Sequence, residues 1–192
     1  MRYRRRNSLR MPGYVYTTPG MYFVTINARH SRALFGKIQG GVMYPNEIGQ
    51  CIIAHWYDIP SHHAHVTVDE FQLMPNHLHG IIGLQNYGQR GNADDDTYLE
   101  MPTRYHRSGC QLRAGSLSVI VGAFKAGVTR SINQKRASGR KLQIWHRNYH
   151  ESIIRSNIGL ARVRQYIRNN VKNYKAGNAD GADDSRKAGR AP

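Results

Sequence analysis

No stretch of this 192-residue chain approaches the roughly 18 consecutive apolar residues that a bilayer-crossing helix needs, so no membrane span is expected. The start is rich in arginine but has no apolar core behind it, which argues against a secretory signal and predicts a soluble, cytoplasmic protein. Cysteine is nearly missing: Cys51 and Cys110 lie far apart and outside any Cys-x-x-Cys spacing, which excludes a disulfide framework and a zinc knuckle. Acids are scarce too, with 12 Asp and Glu against 28 Lys and Arg and a formal charge of +16. Such a balance favours a polyanionic partner, nucleic acid or an anionic membrane surface, over a neutral small molecule. From Ser116 to Lys175 there are 13 Lys and Arg and a single acid, Glu151, so the second half is the better candidate for a nucleic-acid face.

The chain is long enough for one domain with a real core and tails. Residues 1 to 13 form a basic arm carrying Arg4, Arg5 and Arg6, closed by the Met11-Pro12-Gly13 turn signal. Met21 to Ile26 reads as a buried strand, Ile38 to Tyr44 as a hairpin broken at Gly40-Gly41, and Asn46 as the cap of a helix that ends before Pro60. Strands are expected at about 66 to 74 and 77 to 84, with a bend or bulge at Pro75. A flexible acidic excursion over about 85 to 115 follows, including Asp94, Asp95 and Asp96. Leu117 to Ile132 recurs at helical spacing, a strand is expected around Gln143 to Trp145, an apolar pair follows at Ile153-Ile154, and a last helix spans about 158 to 174. Residues 176 to 192 read as a disordered tail, leaving one domain over 14 to 175. The order of elements predicts an α+β fold in which helices pack on one face of a mainly antiparallel central sheet, with the other face free for a ligand.

Chemistry concentrates at His77-Leu78-His79, directly after Met74-Pro75-Asn76. Side chains alternate along a strand, so both histidines project from one face, where two imidazoles can share a metal. On the last helix, at about 100° per residue, Leu160, Val163, Ile167, Val171 and Tyr174 form a buried stripe. Tyr166 and Asn170 fall together on one flank, one turn apart, with Arg164 and Arg168 on the other.

Taken in order, Arg5 to Tyr14, Tyr22 to Ile26, Met74 to Ile82, Phe124-Lys125, Trp145 to Tyr149 and Arg164 to Asn170 resemble the REP-associated tyrosine transposases, a branch of the HUH single-tyrosine transposases of bacterial insertion sequences. The resemblance runs from about Arg4 to Tyr174. It implies the ferredoxin-like, RRM-like HUH nuclease fold, His77 and His79 as paired metal ligands, Tyr166 as nucleophile and Asn170 as a third, polar ligand. One departure is Val171, where many relatives have proline; valine lets the helix run on to Tyr174.

Two imidazoles and an amide oxygen leave coordination positions open, which suits Mg²⁺ or Mn²⁺ better than a closed zinc site. The resemblance implies cleavage and rejoining of single-stranded or hairpin DNA through a 5′-phosphotyrosine link, at REP-type palindromes, by a monomer or homodimer. Candidates for phosphate contacts are Lys125, Arg130, Arg164, Arg168 and the Arg4 to Arg6 run, with Lys125 first. Tyr149 and Tyr174 are rival nucleophiles, better read as packing residues. Two other functions stand beside this one: a metal-dependent hydrolase, which would need further Asp or His ligands that Gly80-Ile81-Ile82-Gly83 does not supply, and a non-catalytic nucleic-acid-binding module with exposed aromatics on its sheet.

Overall fold

The computed structural model describes residues 18–86, 104–105, 111–112, 114–136, 139 and 141–174. The expected basic arm with Arg4, Arg5 and Arg6, most of the acidic excursion and the tail from 176 lie outside the described residues. Four antiparallel strands make the central sheet: β1 (Gly20–Asn27), β4 (Val66–Leu73), β5 (His77–Leu84) and β8 (His150–Ile154), in the order β4-β5-β1-β8. A hairpin of β2 (Gly36–Gln39) and β3 (Val42–Pro45) stands outside it, and β6 (Arg104–Tyr105) pairs with β7 (Gln111–Leu112). The helices are α1 (Glu47–Tyr57), the short α2 (Ile59–His62), α3 (Leu117–Lys135) and α4 (Asn157–Asn169). None of the described helices is long and apolar enough to cross a membrane.

Local chemistry sets most of these boundaries. Gly40 and Gly41 both take positive φ (56° and 73°), as a two-residue hairpin turn demands. Asn46 caps α1, its side chain accepting from the Gly49 amide at 3.0 Å. Ser156 caps α4 in the same way through the Gly159 amide at 3.1 Å.

The two faces of the sheet follow from the period of two. Tyr22, Val24, Ile26, Leu78, Ile82 and Leu84 point to one side, where Ile52 and Trp56 of α1 and Leu117, Ile120, Val121, Phe124 and Val128 of α3 complete the main core. Gly80 lies on this side because an indole needs its space: a Cβ there would come 2.3 Å from the Trp56 ring. Gly80→Ala is therefore expected to cost about 1–3 kcal/mol through overpacking, read as a lower melting temperature in a calorimetric scan, whereas an unchanged transition would refute the packing account.

The second face is where the fold departs from expectation. Phe23 of β1 and Ile81 of β5 meet Ile167 of α4, with Met21, Ile154, Leu160 and Val163 around them. The α+β class and the antiparallel sheet are as expected, but α4 covers part of the face that was to be open. Two further expectations are corrected. The strand around Gln143 to Trp145 reduces to a single bridge, Ala28 to Trp145, because the carbonyls of His146, Arg147 and Asn148 just beyond it accept from Lys125 instead of from a neighbouring strand. The last helix stops at Asn169 rather than Tyr174: the Asn170 amide already bonds three residues back to Ile167, and turns follow.

Candidate active site

β1 and β5 pair so that Thr25 stands opposite His79 and Asn27 opposite His77. The expectation that His77 and His79 share a face holds, and their Nε2 atoms lie 3.0 Å apart. Each ring is also gripped at its other nitrogen. His77 Nδ1 lies 2.6 Å from Asn76 Oδ1, an acceptor, so this ring donates from Nδ1 and presents a lone pair at Nε2. His79 Nδ1 lies 2.9 Å from Thr25 Oγ1, a hydroxyl that can donate or accept and so serves either tautomer of His79. Burial, and secondarily the nearby His77, push the His79 pKa well below the ordinary imidazole value, which keeps it in the neutral form that metals require.

The paired nitrogens suit a shared cation. Two nitrogens each about 2.1 Å from an ion, and at a right angle around it, lie about 3.0 Å from one another. Among the described residues no group of three or more His, Cys, Asp or Glu is gathered, so a third ligand drawn from them is of another type. Asn170 offers one. Its amide nitrogen is buried without a hydrogen-bond partner, a costly state that exchanging the amide nitrogen and oxygen and placing a cation beside the oxygen would relieve.

Tyr166 completes the constellation. Its ring meets His79 edge-on at 5.5 Å between centroids and Phe23 at 5.9 Å, while Phe23 stacks on His79 at 5.4 Å. The tyrosine nevertheless stays 45% exposed, so its phenol is held against the imidazole and remains reachable by a large substrate. The stripe of Leu160, Val163 and Ile167 produces this aim by seating α4 on Phe23 and Ile81. Tyr149 does pack against the main core, and Tyr174 lies beyond α4.

The basic candidates divide. Arg164 pairs with Asp69 through two hydrogen bonds of 2.8 and 2.6 Å, and Arg168 reaches Glu70 at 2.7 Å. Both acids sit where the β4 register shifts, between Val68 and Phe71, so a bulge turns them towards α4. These two arginines fasten α4 to the sheet. The Lys125 ammonium donates to the carbonyls of His146, Asn148 and, at 3.5 Å, Arg147, and burial lowers its pKa to about 8. Arg130 remains exposed at the rim of a cavity.

The Arg164 hydrogen bonds, and secondarily the Glu70 amide, hold the Asp69 carboxyl below its usual value against the opposing effect of burial. A depressed carboxylate pKa gives stability that is whole above the ordinary value near 4 and is lost as pH falls through the folded-state value. Asp69→Asn is expected to flatten the decline of stability in this acidic range; a pH series of thermal melts in which wild type and variant fall in parallel would refute the ion pair's role.

Sequence reasoning did not single out Thr25, Phe23 or Asn76. Thr25 carried a signal, a polar residue at a two-residue period within an otherwise apolar strand, but its partner is 54 residues away.

No family model matches the chain. An uncharacterized protein of Haemophilus influenzae (strain ATCC 51907 / DSM 11121 / KW20 / Rd) is 36% identical over 165 residues, which cover 86% of this chain and 87% of that protein. Among solved structures, a REP-associated tyrosine transposase bound to a REP hairpin aligns with a TM-score of 0.52 at 18% identity, covering 94% of this chain and 87% of that one. At this identity the likeness establishes a shared fold.

Proposed function

This chain belongs to one family with the Haemophilus influenzae protein and has the fold of a REP-associated tyrosine transposase, and we propose that it is itself a metal-dependent transposase and endonuclease acting on single-stranded DNA. One observation carries this reading: the sheet and α4 bring Tyr166, 87 residues beyond His79 in sequence, to within 5.5 Å of the His79 ring, beside a pair of imidazoles whose nitrogens face each other. The domain that does this is the stretch from 14 to 175, and its DNA is a hairpin of the REP type, by analogy with the ligand of the structural neighbour.

His77, His79 and Asn170 would hold Mg²⁺ or Mn²⁺. The bound ion supplies Lewis-acid polarisation of the scissile phosphate and stabilises charge that builds on its oxygens. The chain's own residues do the rest. Asn76 and Thr25 fix both imidazole rings so that the Nε2 atoms converge. Phe23, buried between Ile81 and Ile167, sets the distance between His79 and Tyr166. The Tyr166 oxygen attacks phosphorus, a new tyrosyl O–P bond forms, and the bond from phosphorus to the 3′-oxygen breaks. The phenolic proton passes to water, and the departing 3′-oxygen takes one up. Attack by a 3′-hydroxyl on the phosphotyrosine reverses the step and rejoins a strand, so no external energy source is required.

The sheet argues against a base-stacking module. Phe23, the aromatic at the centre of the second face, is only 8% exposed beneath α4. The test is a labelled DNA hairpin incubated with the protein and Mn²⁺, then separated on a denaturing protein gel. Label is expected to travel with the protein and to stay in solution when a chelator is present; label that never becomes attached would overturn the mechanism.

A further inference from the structure

We propose that two adjoining cavities on either side of Lys141 form a seat for the phosphodiester backbone of the DNA strand, leading away from the paired histidines; the inference rests on reading the chain as a DNA-processing enzyme. The first cavity, of 540 Å³, lies between the Arg29–Ser31 turn and residues 141 to 143. Arg29, Arg32 and Lys141 stand in its wall, and among the described residues neither Asp nor Glu does. The second, of 730 Å³, shares Lys141 and continues along α3 to Arg130 and Arg147, again without an acid. These side chains are exposed.

The floor of the second cavity offers little else to a ligand. Thr129 donates to the Lys125 carbonyl, the Trp145 indole donates to the same oxygen, and the Asn133 amide holds both the Leu142 amide and its carbonyl. What faces solvent is a set of like charges around two hollows. Arg164 and Arg168, by contrast, are neutralised by Asp69 and Glu70. Like charges held close without acids repel one another, and a chain of phosphates relieves that repulsion. The cations line hollows rather than a plane, which fits a threaded strand better than a flat anionic bilayer.

The seat is joined to the active site by one residue. Asn76 donates from Nδ2 to the Ser31 carbonyl at 3.3 Å, in the turn that walls the first cavity, while its Oδ1 holds His77. Across the cavity, the Arg29 amide donates to the Ile144 carbonyl at 2.7 Å, tying the two walls together. A strand leaving the histidines along the end of β1 therefore meets Arg29, Arg32 and Lys141 next.

The experiment is fluorescence anisotropy of a labelled single-stranded oligonucleotide with the full chain across a salt series. Arg32→Glu combined with Lys141→Glu is expected to weaken binding by about 100-fold and to flatten the slope of log affinity against log salt by about 1.4, or 0.7 for each lost phosphate contact. Lys37→Glu, a charge reversal on the β2–β3 hairpin outside both cavities, serves as the control. Equal loss in the control, an unchanged slope, or a preference for anionic vesicles over DNA would overturn the seat. Should the double glutamate variant unfold, Arg32→Gln with Lys141→Gln removes charge alone and is expected to flatten the slope to the same extent, an unchanged slope again overturning the seat. A wild type that binds through this path yet forms no covalent adduct would support the seat while sinking the catalytic reading.

Discussion

Tyr166→Phe is expected to eliminate the covalent protein–DNA adduct, a loss on the order of 10³-fold or more in strand cleavage, while leaving the fold intact. Phenylalanine keeps the ring that makes the edge contacts to Phe23 and His79 at 5.9 and 5.5 Å. At an exposed site that keeps its packing, stability should stay within about 0.5 kcal/mol of wild type. Binding of uncleaved DNA should survive, since affinity for a strand comes mainly from cations meeting phosphates rather than from a phenol. The measurement is denaturing electrophoresis of labelled hairpin beside a melting curve. An adduct that persists in Tyr166→Phe would transfer the nucleophile's role to another residue, with Tyr149 and Tyr174 the first to be replaced.

His77→Ala is expected to abolish the stabilisation that a divalent ion confers, together with cleavage. If Mn²⁺ is supplied at about 100 times its dissociation constant, binding to the folded state alone adds about 2.7 kcal/mol, or about 5–10 °C in melting temperature for a chain of this size. Removing one of two imidazoles should exceed the 10–100-fold loss in affinity typical of losing a residue that merely orients a ligand. His77 is the better target of the pair, because His79 also stacks on Phe23 and is nearly fully buried, so His79→Ala would lose packing as well as a ligand. Scanning calorimetry with and without Mn²⁺ decides it. An equal Mn²⁺ shift in wild type and His77→Ala would place the ion elsewhere.

Much of the architecture was legible because it rests on periodicity and on residues with a single steric or hydrogen-bonding use. Gly40-Gly41 announced a turn, Asn46 a cap, and the spacing of Leu160, Val163 and Ile167 the stripe that seats α4. The strand near Trp145 was misread for a physical reason: its composition suits a sheet, but the Lys125 ammonium takes the carbonyls just beyond it. The partners of Arg164 and Arg168 were hidden on the same ground. Sequence supplies the sign of a charge but not its neighbour, and Arg164 finds its acid 95 residues away in a bulge that no local pattern announces.

What the sequence determined by itself was that His77 and His79 face one way, that Tyr166 and Asn170 share a helix flank, and that the surface is strongly positive. Each follows from the geometry of one element or from counting. Only the tertiary structure decided that the histidines and Tyr166 come together: strand register sets Thr25 against His79, a bulge and two ion pairs dock α4, and Phe23 stands between imidazole and phenol. It also decided which cations stay open to a partner. Those answers depend on contacts between residues distant in the chain, where local propensity and composition are silent.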